Sequence, residues 1–476
     1  MRRTKIVCTI GPASESPDIL ERLVAAGMDV ARLNFSHGDH ASHAAKIRHI
    51  RRLAALAGRP VAILQDLAGP KVRIGTFAEG SVTLRPGDEF TLTAREVPGD
   101  VHEVSLGYKG LAHDVEAGDT LLLADGALEL KVLASTGEDI RCRVVTGGEL
   151  GSRKGINLPS RSIRAPILSE QDRRDLAFGL EQGVDYVALS FVRSAADVEE
   201  ARAVMEGLGG ACPLIAKIEK HEALAEIDAI LAAVEGLMVA RGDLGVDIPL
   251  EEVPRVQKLL IEKANRAGKP VITATQMLRS MVESPRPTRA EVADVANAIL
   301  DGTDAVMLSE ETAAGAWPVV ALEMMDRVAR ATERDFPHRL WMRRFYPEGI
   351  CDPPQAVAHA ACDLAWRIGA AAILTCTMSG GTARHVARYR PAQLILAATP
   401  DEGTWRRLAL CWGCVPLRTR PEAGLDELIA AAEAAARAAG LVGPGDPVVV
   451  TAGHPFRQPG TTNLIRVDLC PLEDPA

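Results

Sequence analysis

Short apolar runs, most with a polar or charged residue at or just after their C-terminal end, recur along the first two thirds of the chain. They alternate with stretches of helical period. This alternation predicts parallel βα units. The runs fall at residues 5–10, 30–35, 61–66, 186–191, 214–219, 237–240, 271–275 and 305–309. Eight strands are the number that closes a (β/α)8 barrel, so the expected fold is α/β with a TIM barrel at its centre.

The polar residues gather at the C-terminal ends of these runs: Arg32 and Asn34, Asp66, Ser190, Lys217 and Glu219, Arg241 and Asp243, Thr275, Ser309 and Glu311. In a barrel those ends and the loops after them form the catalytic face. Lys217 and Glu219 are two apart on one strand, so both point the same way. A cation and an anion there must pair, bind a metal or face a ligand.

Between the third and fourth runs the pattern changes to Gly- and Asp-rich turns with short alternating segments at residues 81–84, 120–123 and 140–144. That reads as a small β-barrel domain inserted at the barrel mouth, placed to act as a lid. A linker-like segment follows at residues 346–354. Beyond it a second α/β pattern has strand candidates at residues 372–375, 394–397, 448–450 and 464–467, with an Ala-rich helix over 425–439. The expected division is residues 1–70 and 157–340 for the catalytic barrel, 71–156 for the lid and 350–476 for a C-terminal α/β domain.

Composition narrows the class. The chain has 476 residues, 47% of them hydrophobic and 25% charged, in the ordinary range for a globular protein. No apolar run is long enough to span a bilayer, and the N-terminus lacks a secretory pattern, so the expectation is a cytoplasmic protein without a membrane partner. A net charge of −9 argues against nucleic-acid binding but leaves room for an anionic substrate held by local cations. Nine cysteines without a framework spacing fit reduced thiols. Cys411 and Cys414 have redox-motif spacing, but their context reads as a pair of small packing residues.

Glu219 and Asp243 offer two hard carboxylate ligands on adjacent strands, which suits Mg²⁺ (or Mn²⁺). Arg32, Arg73 and Lys217 bring cations to the same mouth. Fixed cations around a metal are what phosphoryl transfer needs, because charge spreads over several oxygens in the transition state. The turn at residues 240–245 offers backbone N–H groups for a carboxylate or phosphate; a plain Gly-Asp loop is the simpler reading of that turn alone. No P-loop and no Gly-x-Gly-x-x-Gly motif follows a strand. His37 is a nucleotide contact at most.

Five segments carry a resemblance. They are residues 4–14 (Thr-Lys-Ile-Val-Cys-Thr-Ile-Gly-Pro-Ala-Ser), 32–38 (Arg-Leu-Asn-Phe-Ser-His-Gly), 154–159 (Lys-Gly-Ile-Asn-Leu-Pro), 274–278 (Ala-Thr-Gln-Met-Leu) and 285–291 (Pro-Arg-Pro-Thr-Arg-Ala-Glu). In order and spacing the chain resembles the pyruvate kinases over nearly its whole length. The resemblance implies Mg²⁺-dependent transfer of the phosphoryl group of phosphoenolpyruvate to ADP, giving pyruvate and ATP, in a homotetramer with a C-terminal effector domain. It further implies that Lys217 stabilises the phosphoryl group in transfer and that Glu219 and Asp243 hold Mg²⁺. Gly242, Asp243 and Thr275 meet the substrate carboxylate, and Arg32 and Arg73 contact the phosphoryl group. Asn34, His37, Arg73 and Lys154 match nucleotide-side positions. Ser309 and Glu311 resemble the polar chain that delivers a proton to the enolate.

Two departures from the family pattern matter. Potassium-dependent members carry Asp-Thr-Lys-Gly-Pro-Glu where this chain has Asp66-Leu67-Ala68-Gly69-Pro70-Lys71. The change implies that K⁺ is not required. The expectation is that the Lys71 ammonium sits where the monovalent cation would, near Asn34, Ser36, Asp66 and the Leu67 carbonyl; the simpler alternative is a Lys71–Asp66 pair at the lid hinge. In the C-terminal domain, Thr377, Ser379, Gly380, Gly381 and Thr382 match a phosphate-cradling loop, with a late loop at residues 459–463. Met378 stands where members that bind fructose 1,6-bisphosphate can have lysine. A phosphorylated effector with one phosphate in the first loop is expected.

Two other classes are weighed against the kinase. Pyruvate-dependent aldolases and lyases also use a barrel with a Glu and an Asp on Mg²⁺ but need no nucleotide site; Lys217, Lys154 and the inserted domain favour the kinase. A metabolite-sensing scaffold on a dead barrel predicts loss of Lys217, Glu219 or Asp243, and all three are present.

Overall fold

The computed structural model describes residues 1–159, 164–346, 349–422, 424–455 and 460–471. Pro347 and Glu348 of the expected linker, Pro459 of the late loop and residues 472–476 of the expected C-terminal domain lie outside the described residues.

Eight parallel strands close a barrel: Lys5–Thr9, Val30–Asn34, Ala62–Asp66, Tyr186–Leu189, Leu214–Ile218, Gly236–Ala240, Val271–Ala274 and Ala305–Leu308, the last hydrogen-bonded to the first. Several ladders stop one or two residues short of the apolar runs. Ile10, Phe35, Phe191, Glu219 and Thr275 therefore belong to the loops at the C-terminal rim. Inside, Val7, Val30, Ala62, Leu64, Ala188, Ile215, Met238, Ile272 and Met307 fill the lower layers. The two-residue period of a strand then puts Thr9, Arg32, Asp66, Ser190, Lys217 and Ser309 in the layer above them, at the mouth. The polar strand ends are thus an upward continuation of the barrel's own core.

Helix caps explain part of the sequence pattern. Thr288 and Glu291 form a reciprocal capping box on the helix Arg289–Leu300, and Glu291 also accepts the N–H of Ser280 at 2.7 Å. The Pro-Arg-Pro-Thr-Arg-Ala-Glu segment is therefore a helix start that also ties down the loop after the seventh barrel strand.

The chain leaves the barrel after Asp66 and rejoins it at Tyr186–Leu189; Ile156–Asn157 is the last strand of the insertion, paired with Thr120–Leu123. In between lie a six-stranded and a two-stranded sheet around their own apolar cluster, including Phe90, Leu121, Leu130 and Ile140. The strands Ser81–Leu84, Thr120–Leu123 and Asp139–Thr146 cover the three alternating segments. The C-terminal part is a five-stranded sheet in the order Cys414–Arg418, Leu394–Thr399, Ala372–Cys376, Pro447–Gly453, Thr462–Leu469, with the last strand antiparallel. The strand absent from the four candidates is Cys414–Arg418. It lies on the sheet edge, where Pro416 has no ladder bond to lose. The linker-like prolines 353 and 354 open the helix Pro353–Arg367, whose N-cap Asp352 accepts the N–H of Gln355 at 2.8 Å.

The two α/β parts are locked together at the base of the barrel. Ala409 and Leu410 join the barrel's interior cluster from below. Arg390, only 1% exposed, donates to Asn265 Oδ1 and the Gly302 carbonyl at 2.7 Å and to Asp304 Oδ2 at 3.0 Å. Cys411 and Cys414 are free thiols buried at this junction, in agreement with a packing role. No described helix is long and apolar enough to cross a membrane.

Candidate active site

A cavity of about 880 Å³ opens at the C-terminal rim of the barrel, under the lid. Of the expected site residues, Arg32, Asn34, Ser36, His37, Asp66, Leu67, Lys71, Arg73, Lys217, Glu219, Asp243 and Ser309 line it. Gly242, Thr275, Glu311 and Lys154 do not.

Asp66 is the hub. Its carboxylate, 1% exposed, accepts Arg32 Nε at 2.6 Å on one oxygen and has Lys217 Nζ at 3.3 Å from the other. Arg32 also donates to Thr9 Oγ1 at 2.9 Å, and Lys217 donates to Ser190 Oγ at 2.7 Å. Ser190 in turn donates to the Leu67 carbonyl at 2.8 Å. Burial raises the cost of charge on Asp66, but Arg32 and Lys217 outweigh it and hold the carboxyl below its ordinary range. Burial likewise opposes charge on Lys217, and Asp66 and Glu219 outweigh that too, so the ammonium is kept. Two cations thus stand fixed at the mouth in a buried, low-dielectric setting, where charge stabilisation is strongest.

Glu219 is held differently. Its Oε2 accepts the N–H of Phe191 at 2.8 Å. Its Oε1 is buried and pairs with Lys217 Nζ at 2.9 Å. Burial and then the charge of Asp243 push the Glu219 carboxyl above its ordinary range, against the pull of Lys217. A desolvated carboxylate destabilised by a second carboxylate is the setting a divalent cation relieves. The donor set is all oxygen, so Glu219 and Asp243 fit a hard cation such as Mg²⁺.

Phe191 delivers its N–H from φ +60°, and Thr275 and Gln276 sit at φ +76° and +57°. Bulky and β-branched residues are rare in that region, and such strain gathers at functional sites. Arg241, which was not among the expected site residues, holds the strained turn: it donates to the carbonyls of Ala274 at 3.1 Å and Thr275 at 2.7 Å, and pairs with Asp294 at 2.7 Å. Gly242 backs onto the same turn; a Cβ there would come 2.7 Å from Thr275 Cγ2. Gly242 and Thr275 are therefore in contact beside the cavity.

Glu311 is buried at 1% exposure, and both its oxygens are taken by backbone, from Leu278 at 3.0 Å and Ser309 at 2.7 Å. It fixes the loops that carry Thr275 and Ser309 and does not itself reach the cavity. Lys154 is exposed on the lid. His37 lines the cavity and accepts His43 Nε2 on its carbonyl at 2.9 Å when that nitrogen carries the proton.

Lys71 departs from expectation. Its ammonium does not sit among Asn34, Ser36 and Asp66, and it does not pair with Asp66. It donates to Asp243 Oδ1 at 3.0 Å and lies 3.6 Å from Asp125 Oδ1 of the lid. The cause is local charge: Asp66 is already neutralised by Arg32 and Lys217, whereas Asp243 has no other cation this close among the described residues. Burial works against the Lys71 charge, and Asp243 and Asp125 raise its pKa in spite of it. Asn34 Oδ1 accepts the N–H of Ser36 at 3.1 Å. Asp125, Ser190 and Phe191 are site residues that sequence reasoning did not select; only Ser190, as a polar strand end, had a signal.

Away from the barrel mouth, His221, Glu222 and Asp247 bring potential metal ligands together. The Asp247 carboxylate is already engaged by Lys220, the His221 N–H at 2.6 Å and His221 Nδ1 at 2.7 Å. In the C-terminal domain a cavity of about 260 Å³ is lined by Thr377, Met378, Ser379, Gly381 and Thr382, facing Gly460, Thr461 and Thr462. Thr377 Oγ1 accepts the N–H of Gly380 at 2.9 Å, and Thr382 Oγ1 meets Thr462 Oγ1 at 2.7 Å. Gly380 takes φ +81° and does not line the cavity.

A closed (β/α)8 barrel with an inserted β domain and a mouth that sets fixed cations beside two carboxylates is the frame of a barrel enzyme for an anionic substrate, and the relatives of the chain make that class the phosphotransferases. A family model described as pyruvate kinase, barrel domain, matches residues 1–322, and one described as pyruvate kinase, alpha/beta domain, matches residues 355–468. Pyruvate kinase 2 of Synechocystis sp. is 48% identical over 474 residues, covering 98% of this chain and 79% of that protein. The pyruvate kinase of Geobacillus stearothermophilus is 49% identical over 469 residues, covering 98% and 80%. That of Clostridium acetobutylicum is 42% identical over 471 residues, covering 98% and 100%. The chain belongs to the pyruvate kinase family, whose members transfer the phosphoryl group of phosphoenolpyruvate to ADP.

Proposed function

We propose that the barrel mouth divides this reaction among its residues as follows. Lys217 and Arg32 neutralise the equatorial oxygens of the phosphoryl group in flight, with Arg73 reaching it from the lid side. Glu219 and Asp243 hold Mg²⁺, which supplies charge neutralisation and orients the transferring oxygens when bound. The N–H groups of the turn at Gly242 and Asp243, together with Thr275, receive the substrate carboxylate. Asn34, His37, Arg73 and Lys154 serve the nucleotide. Ser309 lies on the proton path to the enolate, and Glu311 is a positioning residue for Ser309 and Thr275. The observation that carries this reading is the buried Glu219 carboxylate, paired with Lys217 at 2.9 Å and pushed above its ordinary range by burial and by Asp243. A coupled lactate dehydrogenase assay on Lys217→Met tests it; turnover within tenfold of the parent defeats the assigned role.

K⁺ is not required in this reading. The support is that the anionic member of the monovalent-cation set, Asp66, already has a cation at each oxygen. Turnover in tetramethylammonium buffer close to that in K⁺ is expected. A many-fold rescue by K⁺ overturns it.

The cavity at Thr377–Thr382 is read as a site for a phosphorylated effector. Its support is a concave set of hydroxyls and backbone N–H groups with Arg384 and His385 at the edge. An activity screen with AMP, ribose 5-phosphate, glucose 6-phosphate and fructose 1,6-bisphosphate tests it, and no response to any of them counts against it. A homotetramer in the cytoplasm is the assembly and location proposed from the family.

A further inference from the structure

The turn that carries Asn34 and His37 is backed by His43, near the start of the helix His40–Leu56. His43 is 2% exposed and lines the cavity at the barrel mouth beside Ser42 and Lys46. Its ring lies on Phe35, with centroids 4.1 Å apart and planes 11° apart. Nε2 is 2.9 Å from the His37 carbonyl oxygen. Nδ1 is buried and has no hydrogen-bond partner among the described residues.

These contacts fix the proton. Burial lowers the pKa of His43, and Lys46 and His40 add to that, against the pull of the His37 carbonyl. The ring is therefore neutral and has one N–H to place. On Nδ1 that N–H would be buried without an acceptor, while the Nε2 lone pair faced a carbonyl oxygen. On Nε2 it donates to His37. The bare Nδ1 is what is left over when the ring is set to hold a backbone carbonyl.

The surroundings are built around this placement. Gly38 takes φ +81°, and a Cβ there would come 3.3 Å from His43 Nε2. Within the turn the His37 N–H reaches the Asn34 carbonyl at 3.3 Å. The helix start is itself anchored: Asp39 accepts the N–H of Ser42 at 2.8 Å, and His40 stacks on Phe178 at 4.3 Å and pairs with Asp175 at 2.7 Å. Nearly one turn beyond His43, Lys46 pairs at 2.9 Å with Glu15, in the loop after the first barrel strand. One helix end thus ties down both loops that border this part of the cavity.

We propose that His43 is a positioning residue for nucleotide binding: its Nε2–H sets the His37 carbonyl, and with it the turn Asn34–Gly38 that receives the nucleoside diphosphate. The inference rests on the reading of Asn34 and His37 as nucleotide contacts. Lys217, Glu219 and the turn at Gly242 stand on other elements, so loss of the His43 contact weakens nucleotide binding and spares the phosphoryl step.

The test uses two substitutions that both remove the ring. Gln at this position carries an amide N–H close to the place of Nε2 and can reach the His37 carbonyl; Asn carries it close to the place of Nδ1 and cannot. His43→Asn is expected to raise KM for ADP at least about fivefold, with kcat within about threefold and KM for phosphoenolpyruvate within about twofold of the parent. His43→Gln is expected to keep KM for ADP within about twofold. Equal KM values for ADP in the two variants, or an equal rise in KM for phosphoenolpyruvate, overturn the proposal. Asn34→Ala and His37→Ala are measured beside them. If neither raises KM for ADP, the nucleotide reading falls and the proposal with it; if they do and His43→Asn does not, the positioning role alone falls. Histidine ¹⁵N NMR of the parent is an independent check, with His43 assigned by its loss in His43→Gln. A proton on Nε2 is expected, and a proton on Nδ1 overturns the proposal.

Discussion

The Lys71 ammonium lies 3.0 Å from Asp243 Oδ1, on one of the two carboxylates that fit a divalent cation. A tethered cation therefore competes with the metal for Asp243. Lid Asp125, 3.6 Å away, is its alternative partner. Replacing Lys71 with Gln is expected to tighten Mn²⁺ binding in the absence of substrates by about threefold to tenfold, because a partly exposed pair of this kind is worth about 1 kcal/mol. Electron paramagnetic resonance of free Mn²⁺ reads this directly. Weaker binding would mean that Lys71 supports the metal site.

Lys217 is expected to act on the transition state rather than on binding. Lys217→Met should lower kcat by at least about a hundredfold, in the range typical for loss of one preorganised charge-stabilising group. KM for phosphoenolpyruvate should change much less. Single-turnover kinetics separate the two effects.

Glu219 gives a pH signature. Its folded pKa is raised by burial and by Asp243, so protons compete for it at higher pH than for an ordinary carboxylate. Mn²⁺ affinity should therefore begin to fall above the usual glutamate range as pH is lowered. Glu219→Gln should abolish that inflection together with most of the affinity. Asp66 has the opposite sign. Its depressed folded pKa contributes stability that is present above the unfolded value and is lost as pH falls through the folded one. Acid unfolding of Asp66→Asn should accordingly show a shallower dependence on pH than that of the parent.

Arg390 joins the base of the barrel to the C-terminal domain through Asp304, Asn265 and the Gly302 carbonyl. Truncating it to Ala leaves the Asp304 carboxylate, 6% exposed, with its ion-pair partner removed. A loss of about 3–5 kcal/mol is expected for breaking one side of a buried pair. Thermal unfolding followed by calorimetry should show a lower transition, with the double substitution Arg390→Met, Asp304→Ala milder than the single Ala change.

Much of this protein is determined by the sequence alone. Eight apolar runs, seven of them with polar ends, specify the barrel and its active face, because strand period two and burial on both faces leave few other arrangements. The identities of Lys217, Glu219, Asp243 and Arg32 follow from the same pattern, since charges at the ends of buried strands need partners or ligands. The edge strand Cys414–Arg418 was less legible, because Pro416 weakens a strand signal that only a sheet edge tolerates. Tertiary structure alone decided which charge meets which. Asp66 is satisfied by two cations from neighbouring strands, and that left Lys71 to Asp243 and not to the oxygens near it in sequence. The positive φ of Phe191 and Thr275 and the support of Thr275 by Arg241 are likewise products of packing. Each joins residues from distant segments, and no local propensity encodes the sum of such charges and contacts.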